Sequence, residues 1–174
     1  MLSSITGYII RFALLAFAQV MILNNVHLHG LFNPYIYPLF ILLLPIEMPA
    51  LLVLITGFAA GLVIDLYSNS LGMHAAATTV VAFLRPYMIN LLRPAAGYQP
   101  EDKPTIASMG FLWFIVYAAV LVFMHHLVFF MLETLSFSQF LFVLSKIAVS
   151  TVVSLALMIT LQYLFYKRRK RAAL

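Results

Sequence analysis

Cysteine is absent from this 174-residue chain, and charge is scarce: only 9% of residues are charged, with five acids and ten lysines or arginines. The missing cysteines exclude a disulfide framework, a thiolate metal site and a thiol nucleophile. So little charge excludes a soluble domain of this length, whose surface would need far more of it. What fills the chain is apolar, 64% hydrophobic residues with a mean hydropathy of +1.05, and the expected class is a polytopic membrane protein. A formal charge of +5 does not imply nucleic acid, because half of the basic residues form one terminal block, Lys167, Arg168, Arg169, Lys170 and Arg171. That block reads as an orientation anchor and a contact for anionic lipid.

A spanning helix needs about 20 apolar residues. The pattern predicts an all-α integral membrane protein with about six transmembrane helices in one bundle, spanning about Tyr8–Asn25, Pro34–Met48, Pro49–Tyr67, His74–Leu92, Ile106–Glu133 and Gln139–Tyr166. The second is short and contains Pro38 and Pro45, so it is expected to be kinked or to cross only in part. Pro49 suits the first turn of the third. Between Arg93 and Thr105 lies the one hydrophilic loop, "RPAAGYQPEDKPT". Residues 167–174 form a basic tail. With both termini cytoplasmic, the inside collects Arg93, Lys103 and the tail, while the connections near Asn24–Asn33, Ser68–Gly72 and Leu132–Ser138 carry no lysine or arginine. Ala16-Phe17-Ala18 fits a signal-cleavage site literally, but Arg11 interrupts the run before it and cleavage is not expected.

"GFAAGLVIDLYSNSLGMH" places Gly57, Gly61 and Asp65 four residues apart, on one broad helical face. Glycines so spaced let a neighbouring helix come close, either within the protein or from a partner. Asp65 falls near the outer end of its helix, where the macrodipole opposes an anion, so it needs a partner. Two are available. Ser68, Asn69, Ser70 and the start of the next helix could cap it; Lys146, at similar depth, could form an intramembrane ion pair with it. Arg11 and Glu47 could pair near the inner interface or snorkel separately, and Glu133 is expected to be solvated.

No metal or catalytic centre is expected. His125 and His126 are consecutive and diverge by about 100° on a helix. His27 and His29 share a face only if extended, and His74 stands alone. Interfacial hydrogen bonding is the expected role of these histidines. The five acids make no intramembrane cluster, and neither a glycine-flanked serine nor a His-Glu-x-x-His pattern occurs. A non-enzyme without cofactor is expected.

The run "NPYIYPLFILLLPIEMPALLVLITGFAAGLVIDLYSNSLGMHAAATTVVAFL" resembles the central region of the rod shape-determining protein MreD family. The resemblance rests on Pro34, Pro49, the Gly57–Asp65 motif, the Ser-and-Gly turn and the small-residue helix beginning Ala75, Ala76, Ala77. Asn69 stands where glycine is common, and the Arg93–Thr105 loop has no counterpart. The resemblance implies a multi-pass scaffold in the bacterial inner membrane, part of the cell-elongation machinery, with a fold like that of energy-coupling-factor S components. It implies association with a bitopic MreC-type protein and, through it, the MreB filament and the RodA–PBP peptidoglycan synthase. A lateral groove near Gly57, Gly61 and Asp65 would receive the partner helix; a homo-oligomer stays open. The alternative is a vitamin-binding S component, which would need a polar outer pocket from Asn24, Asn25, His27, His29, Asn33, Asn69 and Ser70. A pore would want polar residues along several spans.

Overall fold

The computed structural model describes residues 2–25, 33–134 and 140–165, with side chains from residue 5 onward. Among the described residues seven α-helices follow one another: α1 (Leu2–Phe17), α2 (Leu39–Leu42), α3 (Ala50–Ser68), α4 (Met73–Leu91), α5 (Ile106–Met109), α6 (Phe111–Thr134) and α7 (Phe140–Leu164). α1 runs on into a π-helical turn, Ala18–Ile22, and a 3₁₀ turn, Leu23–Asn25. No strand occurs among the described residues. Four stretches are helical, long and apolar enough to cross a membrane: Ile5–Asn25, Ala50–Ser68, Phe111–Thr134 and Phe140–Leu164. The molecule is therefore an all-α protein of membrane type.

α4 equals α3 in length, 19 residues each, but carries His74, Thr78, Thr79 and Arg85 and so is less apolar. It lies antiparallel along α3. Gly57 and Gly61 make this approach possible: a Cβ on Gly57 would sit 2.7 Å from Ala82 Cβ and 3.0 Å from Thr78 O. On Gly61 it would sit 2.5 Å from both Ala75 Cα and His74 O, and closer still to Thr78 Oγ1. The glycine face is thus closed by α4 of the same chain. The expectation of a partner groove on Gly57 and Gly61 is corrected here, because that face has no room for a second helix.

The second predicted span is not a spanning helix. Residues 33–36 adopt no regular secondary structure, α2 is only four residues long, and irregular chain follows as far as Pro49. The sequence explains this. Pro34 and Pro38 disfavour helix at the residue before each, and Pro45 lacks the amide that a helix would use. Every residue from 34 to 42 is buried, so the least helical stretch forms the centre of the core. Phe40, Ile41 and Leu42 pack with Phe114, Tyr117, Ala118 and Met158 in the larger hydrophobic cluster. Irregular backbone at such depth persists only where other groups satisfy its amides and carbonyls.

The remaining boundaries shift slightly. Pro49 is the N-cap of α3, one position before its first turn. The fifth predicted span is broken at Gly110, whose φ of 87° is left-handed, leaving α5 as a short turn before α6. The Lys167–Arg171 tail, His27 and His29 lie outside the described residues.

Candidate functional site

Residues 33–36 belong to no helix, and side chains from two helical stretches bond their main chain. Asn33 N donates to Ser150 Oγ (3.1 Å) and Tyr35 N to Ser154 Oγ (2.8 Å), both on α7. Gln19, fully buried in the π-turn that follows α1, accepts from Ile36 N through Oε1 (2.8 Å) and donates through Nε2 to Pro34 O (3.2 Å) and Asn24 Oδ1 (2.9 Å). The extra residue of a π-turn rotates Gln19 inward.

The Tyr35 and Tyr37 rings lie 6.2 Å apart, edge to face, and meet three imidazoles. Tyr37 Oη lies 2.6 Å from His125 Nε2. His126 Nδ1 lies 2.7 Å from Val122 O, and a carbonyl only accepts, so Nδ1 carries the proton. His126 Nε2 is left to take the Ser154 hydroxyl proton at 3.3 Å, while that hydroxyl accepts from Tyr35 N. The rings of His74 and His125 lie 5.2 and 5.5 Å from Tyr35 and 5.7 and 5.4 Å from Tyr37. His125 and His126 are fully buried, not interfacial as their sequence suggested. They diverge around α6, yet both serve the same threaded segment.

Asp65 closes this cluster from the α3 side. The turn after it needs three left-handed residues, Asn69, Leu71 and Gly72, with φ of 52°, 48° and 86°. Gly72 is the N-cap of α4 and has no side chain to offer the first amides. Asp65 supplies the missing acceptor across the turn. Oδ1 accepts from Ser70 Oγ (2.6 Å), His74 N (3.0 Å) and His74 Nδ1 (3.0 Å), and Oδ2 accepts from Ala75 N (2.9 Å). Its charge faces the positive end of the α4 dipole, which offsets its unfavourable place at the end of α3.

Of the two partners weighed for Asp65, the structure uses the turn. Lys146 instead bonds Glu133 at 2.7 Å and lies 4.5 Å from the centre of the Phe130 ring. The Asp65–Lys146 pair is therefore corrected: both acid oxygens are taken by donors far nearer in sequence. Glu133, expected to be solvated, holds this partner instead. Replacing Lys146 by Gln should cost no more than about 1 kcal/mol in a detergent unfolding titration, since the pair is partly exposed. Arg11 and Glu47 also stay apart. Ion pairs among the described residues include Lys146–Glu133, and the His74 ring contacts Asp65 in the same way.

At the opposite end of the threaded segment Arg85 is 1% exposed, its guanidinium bonded to main-chain carbonyls. Nη2 donates to Leu44 O and, at 3.2 Å, to Pro45 O, while Tyr117 Oη donates to Leu42 O at 3.0 Å. Leu42 ends α2, and Leu44 and Pro45 follow it, so the guanidinium meets carbonyls of irregular chain. Sequence reasoning missed Gln19, Tyr35, Tyr37, Ser150, Ser154, Tyr117 and this role of Arg85. The available signals were the Pro34-Tyr-Ile-Tyr-Pro38 pattern and the four-residue spacing of Ser150 and Ser154. No metal-holding group of three His, Asp or Glu residues occurs among the described residues. Comparison of the chain with models of protein families, with curated proteins and with solved structures gives no match.

Proposed function

We propose that the chain is a non-enzymatic scaffold of the bacterial cell-elongation machinery, seated in the inner membrane and associated with a bitopic MreC-type partner. In this reading it crosses six times, five times as helix and once as residues 33–48, with both termini cytoplasmic. The family resemblance supplies the identity. The observation that carries the scaffold role is the use made of buried polar groups. Gln19, Asp65, Arg85, Tyr117, His126 and Ser154 each bond one element of the chain to another. Side chains so engaged brace a body; a reacting group has to be free to meet its substrate.

One observation favours the vitamin-binding alternative. His74 Nε2 and His125 Nδ1 are buried and take no hydrogen bond from the protein, and both rings pack around Tyr35 and Tyr37. Affinity purification in mild detergent separates the readings. MreC and RodA in the eluate are the expected result. A transporter ATPase together with a bound small molecule would replace the scaffold with the alternative.

A further inference from the structure

α1 is the least covered of the apolar helices: 11% of its window is buried, against 33–44% for the other three. Arg11 stands on it, exposed, about 9 Å along the axis from Ile5 where the apolar stretch begins. The guanidinium lies 5.9 Å from the centre of its neighbour Tyr8 and takes part in neither ion pair of the described residues. Charged side chains within a span almost always face the bundle or a partner of opposite sign. Arg11 faces outward.

One turn earlier on the same face is Gly7, where an added Cβ would meet nothing within 4 Å. One turn later is Leu14, 63% exposed. Gly57 and Gly61 are filled by α4, whereas Gly7 stays open, so close approach of another backbone is possible there. We propose that the Gly7–Arg11–Leu14 face of α1 docks the transmembrane helix of a single-pass partner, and that a carboxylate on that helix pairs with Arg11. Charge argues for this occupant, because an apolar surface with one cation wants one anion at the same depth. A lipid phosphate would satisfy Arg11 but would make no use of the open glycine; a helix uses both. The inference rests on the scaffold reading and names its surface.

The test places a photo-crosslinking residue at Ile10 or Leu14 of the full chain in native membranes, with Leu52 on α3 and Val152 on α7 as controls. The α1 positions should capture a single-pass protein about tenfold better than the controls, the discrimination that about 1.4 kcal/mol provides. Arg11→Glu should reduce that yield about tenfold, and exchanging the acid of the captured helix for arginine should restore it. Gly7→Leu should lose capture while membrane levels stay normal. Adducts with phospholipid alone at Ile10 and Leu14 would overturn the proposal, as would a charge exchange that fails to restore capture. Capture from α3 or α7 and not from α1 would also overturn it, yet leave the scaffold reading intact. A partner missing from both the crosslinks and the detergent eluate would remove both.

Discussion

Asp65→Ala is expected to destabilise the protein by about 3–5 kcal/mol, the usual loss when one side of a buried charged contact is deleted. Four donors lose their acceptor at once: the Ser70 hydroxyl, the His74 and Ala75 amides and the His74 ring. Two of these are amides at the start of α4, and Gly72 has no side chain to replace the missing oxygens. Asp65→Asn should recover only part of the loss, because one oxygen remains while the new amide group meets a donor. Unfolding titrations in mixed micelles measure both. The exchange Asp65→Lys with Lys146→Asp should show no rescue, since each partner in the native protein bonds elsewhere. A rescue would mean that the two side chains do meet.

Gly61→Leu is the second large effect, expected to exceed about 3 kcal/mol, beyond the ordinary range for overpacking. Even Gly61→Ala should destabilise, although alanine gains up to about 1 kcal/mol of helix propensity over glycine. The new Cβ meets Ala75 Cα and His74 O at 2.5 Å, and main-chain atoms cannot swing aside. Trimming Thr78 to Ala removes one contact and leaves those two, so it should not restore stability. Gly57 differs. Its first obstacle is a side-chain atom, Ala82 Cβ at 2.7 Å, so Gly57→Ala with Ala82→Gly should recover much of the loss of Gly57→Ala alone. Equal behaviour of the two glycines would show that α3 and α4 do not pack as described.

The helices were legible wherever apolar residues ran on without interruption: α3, α6 and α7 sit close to their expected limits. The glycine spacing announced a tight contact, and Asp65 announced a need for donors. Neither feature says which surface answers it, because a small-residue face suits an internal helix as well as a foreign one. The segment 33–48 was misread for a physical reason. Hydropathy registers that Phe40, Ile41 and Leu42 are apolar, not whether their amides bond within a helix or to side chains far along the chain. Gln19, Ser150 and Ser154 looked like minor polar interruptions of two separate spans. They become one set of anchors only when the spans assemble.

Those anchors also set the order in which the protein can be made. The two serines that receive Asn33 N and Tyr35 N lie 117 and 119 residues later in the chain, on its final helix. At ordinary translation speeds that gap lasts about ten seconds, during which these peptide groups have no acceptor within the emerging polypeptide. Hydrocarbon cannot host them bare, so the stretch must wait in water or inside the insertion machinery until α7 has been made. Chains that end before Ser150 should therefore be rejected by membrane quality control even though their earlier helices are intact.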